Sequence, residues 1–235
     1  MFLVIGLVGA PFHAEPAIRP GQTVTVQDID GRIRVRAGSR LIVDARKYAE
    51  RSDPNAVVVR VEPGPSGVVV CVRYPPDTQR SCAERVDGPG EDDTRVDFDV
   101  TVPADIGVVA ANVNGSVDVV TDGHASASNV NGSVHVDARD VDAATTVNGS
   151  VRVRVRDRST APLRATSVNG RVEVELPPGS GVTLDASTLN GEIDAGGLPV
   201  QRPPFGPGAR VHGVLGDGAR PVELHSVNGS LTLRR

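Results

Sequence analysis

Two cysteines are the first residues in this sequence whose chemistry can be judged from spacing. Cys71 and Cys82 are its only cysteines, and the segment between them contains Pro75-Pro76. In an exported protein, two cysteines that close a short loop indicate a disulfide, whereas two free thiols would indicate a cytosolic protein. No histidine lies near either cysteine and the spacing fits no zinc motif. We therefore predict a Cys71–Cys82 disulfide, worth about 3 kcal/mol in the chain-entropy model.

Carboxylates are the next residues that could carry chemistry. Glu173 and Asp194 occupy equivalent positions in two copies of a repeat, so they could lie close together and act on a glycosidic bond. A like-charge surface pair is the favoured interpretation. The run Glu91-Asp92-Asp93 could contribute to a Ca²⁺ site, but it lacks the alternating spacing of calcium ligands and is better interpreted as a solvated loop.

The remaining candidates for catalysis or metal binding are weak. The histidines form no close metal-ligand pair: His13, His124, His135, His212 and His225. There is neither a Gly-x-Ser-x-Gly nucleophile elbow nor a phosphate-binding loop. We predict no catalytic residue, no metal and no cofactor, and therefore a protein that is not an enzyme.

An internal repeat dominates the second half of the chain. Its Asn-Gly pairs are Asn114-Gly115, Asn131-Gly132, Asn148-Gly149, Asn169-Gly170, Asn190-Gly191 and Asn228-Gly229. The steps between them are 17, 17, 21, 21 and 38 residues. Because 38 is the sum of 17 and 21, we expect one further copy without Asn-Gly around Gly213–Gly218. Asp30-Gly31 is an earlier relative of the repeat.

Apolar residues align in columns around each Asn-Gly pair. They lie four residues before the asparagine (Ala144), one before it (Val147), three after it (Val151) and five after it (Val153), and equivalently in the other copies. The residues between the later columns are polar, which is typical of strands with one buried and one solvated face. We expect the apolar columns to be buried and the intervening positions, such as His135 and Arg152, to face water.

Asn-Gly between alternating apolar residues is also a strong hairpin signal. Hairpins would, however, set an apolar residue beside a polar one in every copy, for example Val134 beside Asn129. If Asn-Gly instead turns a corner between two legs of a coil, identical positions stack on one another. Inward asparagines would then form a hydrogen-bonded ladder, and glycine would supply the positive φ of the corner. This predicts an all-β, single-domain β-solenoid with rungs of about 17–21 residues.

The chain outside the repeat is less regular. Residues 1–14 include the apolar run Phe2–Ala10 and are interpreted as a signal peptide or its remnant, with a frayed first strand as the alternative. Residues 15–100 are predicted to form a β region with the disulfide loop, and residues 101–235 the regular solenoid, continuous with it. The run Phe2–Ala10 is too short to span a membrane, and the sequence contains no second candidate. The net charge of −4 and the absence of a basic block exclude a typical nucleic-acid-binding protein.

The recurring Val-Asn-Gly-Ser-Val units resemble the bacterial "putative adhesin" β-solenoid domains of unknown function. The resemblance covers about Val100 to Arg235 and extends back to Gln22. The segments Val211–Gly218 and Leu224–Leu231 resemble the terminal rungs of these domains. The resemblance implies an exported, envelope-associated and non-enzymatic protein of bacterial origin, and it brings no catalytic motif with it.

The sequence therefore predicts a secreted protein whose rigid β-solenoid surface serves adhesion or interaction with an envelope protein or glycan. It would lie in the periplasm, at the cell surface or outside the cell. Two alternatives remain at this stage. One is a periplasmic module that senses envelope stress, and the other is a carbohydrate-active enzyme on a β-helix scaffold, for which Glu173 and Asp194 would have to act.

Overall fold

The computed structural model describes residues 6–85, 88–204 and 206–235. The chain is all-β: in the described part, the only helical element is a short 3-10 helix, Asp77–Gln79. It divides into two compact units, one that ends at Gly123 and one from His124 to Arg235. No helix in these ranges is long and apolar enough to cross a membrane.

Parallel strands stack in register in the first unit. Its strands are β1 (Leu7–Val8), β2 (Phe12–Ala14), β3 (Thr23–Gln27), β4 (Ile33–Ala37), β5 (Ile42–Ala49), β6 (Val58–Gly64), β7 (Gly67–Arg73), β8 (Arg95–Val102), β9 (Gly107–Ala111) and the start of β10 (Val117–Ser128). Strand β3 lies between β7 and β9, and β4 lies between β8 and β10, all in parallel. The early Asp30-Gly31 copy is therefore the middle layer of its stack.

Antiparallel strands cover the edges of this first stack. Strand β6 pairs with β7 through the turn at Gly64–Gly67, and β5 pairs with β8. Of the predicted signal segment 1–14, residues 1–5 lie outside the described residues, whereas β1 and β2 pair antiparallel with β5. Paired edges expose fewer backbone N–H and C=O groups to other chains.

Hydrogen bonds, in addition to the disulfide, hold the disulfide loop against the rest of the first unit. A disulfide joins Cys71 to Cys82. The Arg73 guanidinium donates to the carbonyl oxygens of Ser81 at 2.6 Å and Glu84 at 3.1 Å. The Glu62 carboxylate accepts the Cys82 backbone N–H at 2.8 Å and also contacts Arg60. Backbone groups at the end of this loop, beyond its 3-10 helix, are thus satisfied by charged side chains.

The second unit repeats the stacking with longer legs. Its strands are β11 (Val134–Asn148), β12 (Val151–Val155), β13 (Leu163–Asn169), β14 (Val172–Glu175), β15 (Val182–Asn190), β16 (Ile193–Asp194), β17 (Ala209–Leu215), β18 (Arg220–Asn228) and β19 (Leu231–Arg234). One parallel stack runs β11–β13–β18–β15 and contains the end of β11. The other runs β11–β12–β14–β19–β16 and contains the start of β11. Each Asn-Gly from Asn148 onward joins a strand of the first stack to a strand of the second.

Layers of the second unit do not follow chain order. The last layer in sequence, β18–β19, lies between the β13–β14 and β15–β16 layers. The expectation of a further repeat around Gly213–Gly218 is wrong, because Ala209–Leu215 runs antiparallel to β15. The 38-residue step is longer because it includes this edge strand and the described residues on either side of it.

Small branched side chains fill the interior, because in-register stacking sets each apolar residue on its equivalent. Val151 pairs with Val134 on one side and Val172 on the other, and Val153 pairs with Val136 and Val174. All are at most 1% exposed. The buried columns three and five residues after the asparagine, and the alanine column four before it, are as predicted.

Candidate functional site: the Val–Asn face of the second unit

The asparagines of the repeat form a single ladder along the second unit. Asn148 donates its Nδ2 to Oδ1 of Asn131, Asn169 to Asn148, Asn228 to Asn169, and Asn190 to Asn228, each at 2.8 Å. All donations point the same way, so each amide polarises the next. The side chains face outward and are exposed, in contrast to the inward orientation considered from the sequence.

A second, buried ladder lies two residues before each asparagine. The hydroxyls of Thr146, Ser167, Ser226 and Thr188 donate to the glycine carbonyl oxygen of the neighbouring layer, at 2.8–3.1 Å. In the first unit, Asn112 donates to Gly31 O at 2.8 Å. Sequence reasoning missed this column, although its small polar residues recur in register with the Asn-Gly pairs. It satisfies the corner carbonyls inside the protein.

Glycine is needed at the corners for close approach more than for its φ angle. A Cβ on Gly149 would collide with the carbonyl oxygen of Gly132, and one on Gly170 with that of Gly149. The φ angle is positive at Gly115 (118°) but not at Gly170. The positive φ expected for every corner is therefore found in only part of the repeat, whereas contact between stacked glycines recurs throughout.

The column directly before each asparagine faces water, which corrects the expectation that it is buried. Val130, Val147 and Val168 are 38–39% exposed and Leu189 is 48% exposed. Side chains alternate along a strand. Because the preceding hydroxyl points inward to the glycine carbonyl, this column must point outward. We call it, together with the asparagine ladder, the Val–Asn face: Val130, Val147, Val168, Val227 and Leu189 with Asn131, Asn148, Asn169, Asn228 and Asn190.

The outward positions after the corner carry paired charges. Arg152 lies 2.9 Å from the Glu173 carboxylate and Arg154 lies 3.8 Å from Glu175. Burial opposes ionisation of Glu173, but hydrogen bonds and charge from Arg152 and Arg171 outweigh it and lower the pKa of this carboxyl. A general acid in glycoside hydrolysis requires a raised pKa.

Glu173 and Asp194 are not neighbours. Each pairs with Thr232, from opposite sides, so two strand spacings, about 9.6 Å, separate their backbones. The hypothesis that they face each other across one rung is wrong, because β19 is inserted between their strands. The pair therefore lacks the direct adjacency across one rung from which the carbohydrate-active alternative was argued, and the lowered pKa of Glu173 does not suit a general acid.

The other sequence candidates make local contacts. His13 contacts Asp44 at 2.7 Å, and His225 contacts the Ser187 hydroxyl at 2.9 Å. Asp93 accepts the backbone N–H groups of Ser52 and Arg51, which lower the pKa of its carboxyl to about 2. Within residues 6–85, 88–204 and 206–235, no group of three or more His, Cys, Asp or Glu side chains is arranged to hold a metal ion.

One buried carboxyl in the first unit has an unusual environment. Asp28 is 5% exposed; its Oδ1 accepts the Ile29 N–H at 2.8 Å, and its Oδ2 has no partner. Burial raises the pKa of Asp28 well above its ordinary value, and the charges of Asp30 and Asp97 add to this. In the adjacent layer the equivalent position is Asn112.

We predict that Asp28→Asn stabilises the protein at neutral pH. A group whose pKa is higher in the folded state favours folding below its unfolded pKa, near 3.8, and this contribution is lost as the pH rises toward the folded pKa. The amide carries no charge, so the variant should gain about 1–3 kcal/mol at pH 8 and little at pH 3.5. Urea denaturation at both pH values measures this. A gain that is equal at both would contradict a buried, proton-binding Asp28.

No protein-family model matches this chain, and no curated protein matches it. Among solved structures, it is similar to a "putative cell adhesion protein" from Clostridium sporogenes, with a TM-score of 0.48 and 11% identity over 96% of this chain and 99% of the other. A "putative adhesin" from Bacteroides fragilis has a TM-score of 0.30 and 6% identity, covering 95% and 97% of the two chains. One from Parabacteroides merdae has a TM-score of 0.22 and 10% identity, covering 97% and 96%.

Proposed function

We propose that this chain is a non-enzymatic, exported cell-envelope protein, folded as a β-solenoid, whose Val–Asn face binds a protein or glycan of the envelope or of another cell. The observation that carries the proposal is the exposed apolar column beside a continuous amide ladder. An exposed strip of aligned valines and leucine has no role in the interior, and contiguous exposed apolar surface is typical of interaction sites.

The amide ladder supports a binding role as well. Asn148, Asn169 and Asn228 each donate one and accept one hydrogen bond within the ladder. Each amide has two N–H groups and two lone pairs, so donor and acceptor capacity remains toward solvent. Polar groups with fixed spacing next to an apolar strip match the anatomy of recognition surfaces, where apolar contact supplies affinity and polar groups supply orientation.

Two further observations support the architecture and the compartment that we propose. In-register parallel pairing of equivalent residues, with Asn on Asn and Val on Val, is the arrangement that a solenoid produces. The Cys71–Cys82 disulfide fits an oxidising compartment outside the cytoplasm. The surface of such a coil is held rigid by its neighbouring layers, which limits the entropy lost on binding.

The test is binding of the labelled protein to intact cells and isolated envelopes of the producing bacterium. Val147→Asp with Val168→Asp should abolish saturable binding, because it places charge in the centre of the apolar column. Stability should fall by no more than about 0.5 kcal/mol per substitution, since both residues are already partly exposed. Arg154→Asp, on the other outward surface, is the matched control and should bind normally. Undiminished binding by the double variant, or no saturable binding by the unaltered protein, would overturn the proposal.

A further inference from the structure

A cleft of about 570 Å³ lies at one end of the Val–Asn face. Its floor contains a row of polar side chains, because His225, Ser187, Arg210 and Gln201 occupy paired positions on successive strands and the adjoining loop. Directly paired residues project from the same side of a sheet. Three strand spacings give the row a length of about 14 Å, which is longer than a single small ion requires.

The cleft carries positive charge that the protein does not neutralise. Some surface arginines of the second unit face carboxylates: Arg164 contacts Glu223 at 3.4 Å, and Arg156 contacts Asp137 at 2.7 Å. Among the described residues, neither Arg202 nor Arg210 has an ion-pair partner, although both line the cleft. In a protein with a net charge of −4, two unpaired guanidinium groups in one concave site attract anions.

Neutral and apolar groups surround these charges. The Ser187 hydroxyl and the His225 ring are already in contact at 2.9 Å, and Gln201 adds an amide. Leu189, Pro203 and Pro207 supply apolar walls. A ligand that matches the two arginines, the polar row and the apolar walls has carboxylates for the arginines, hydroxyl groups for the row, and apolar faces for the leucine and prolines.

We propose that this cleft binds a uronic-acid-containing oligosaccharide. Its carboxylates would pair with Arg202 and Arg210, and its hydroxyl groups would exchange hydrogen bonds with Gln201, Ser187 and His225. The inference rests on the proposed function, because it names the glycan class recognised at one end of the Val–Asn face. Free phosphate lacks the apolar faces and the length of the row, and a peptide of glutamate or aspartate residues lacks the side-chain hydroxyl groups.

The experiment is isothermal titration calorimetry of the full chain with trigalacturonate. We expect saturable binding that weakens with added NaCl, and at least about tenfold weaker binding by the Arg202→Gln, Arg210→Gln double variant, because two charge-assisted contacts are lost. Arg154→Gln, an exposed arginine on the other outward surface, is the matched control and should keep the affinity within about twofold. Both arginines of the cleft are exposed, so folding is maintained and is checked by circular dichroism.

Titrations with three comparison ligands test the chemical class of the molecule that the cleft binds. Maltotriose, which lacks carboxylates, should bind at least tenfold more weakly, as should inorganic phosphate and triglutamate. Equal affinity for any of these three, unchanged trigalacturonate affinity in the double variant, or no trigalacturonate binding would overturn the assignment. Cell binding by the Val147→Asp, Val168→Asp variant is scored separately. If the protein binds cells but not trigalacturonate, only the assignment of the cleft is overturned. If it binds trigalacturonate but not cells, only the proposed adhesion is overturned.

Discussion

Val151→Asp should destabilise the protein by more than about 4 kcal/mol. Val151 is 1% exposed and is stacked between Val134 and Val172. The substitution removes an apolar contact worth about 1.5–3 kcal/mol and buries a carboxylate among valines, with no charged partner. Each layer contacts its neighbours, so a defect in a central layer weakens two interfaces.

The adjacent residue provides the control. Arg152 is exposed and pairs with Glu173. Arg152→Asp should cost about 1 kcal/mol, because it replaces an exposed ion pair with two like charges. Urea denaturation compares the variants, and Val151→Thr supplies a milder buried polar group in case the aspartate variant does not fold. Equal losses at residues 151 and 152 would contradict the inward and outward assignments.

Arg220→Met should cost about 3–5 kcal/mol, because it leaves a buried carboxylate without its partner. Arg220 is 2% exposed, and its Nη2 lies 2.7 Å from Oδ1 of Asp140 and donates to Val141 O at 2.8 Å. Asp140 Oδ2 accepts the Ser159 hydroxyl at 2.6 Å. The pair connects the start of β18 to β11, on the far side of β13, and so contributes to placing the last layer between earlier ones.

A double-mutant cycle isolates this interaction. Asp140→Leu should be as harmful as Arg220→Met, whereas the double variant should lose much less than the sum, because no unpaired charge remains. The exposed pair Arg164–Glu223, between β13 and β18, is the control, and Arg164→Met should cost less than about 1 kcal/mol. Additive losses at Asp140 and Arg220 would show that the two residues act independently. Chemical denaturation of the four proteins measures the cycle.

Local alternation and repetition made much of the fold predictable from the sequence. The β structure of residues 15–100 was predicted only as a region, whereas the buried columns around Val151 and Val153 were indicated by the repeat. These features depend on the period of a strand and on the chemistry of short segments, both of which are local. Stacking of equivalent residues followed from rejecting hairpins whose registers would pair apolar with polar side chains.

The candidate site was predictable only in part. The asparagine ladder followed from the repeat, but its orientation did not, because the direction of Val147 and Asn148 depends on the inward hydroxyl of Thr146 and its bond to Gly132 O. The row that joins His225, Ser187, Arg210 and Gln201 has no sequence signal. Its members come from β18, β15, β17 and a loop, and strand pairing alone brings them together.

The sequence by itself determined the all-β class and the buried columns three and five residues after, and four residues before, each asparagine. It did so because strand alternation and the Asn-Gly repeat are encoded within about twenty residues. The tertiary structure decided the order of the layers, since equivalent strands have similar surfaces and sequence similarity does not specify which of them become neighbours. Insertion of β18–β19 separates Glu173 from Asp194, buries Arg220 against Asp140 and sets His225 beside Ser187. Each of these arrangements depends on pairing between strands that are far apart in the sequence, and similar repeats do not specify which of their strands pair.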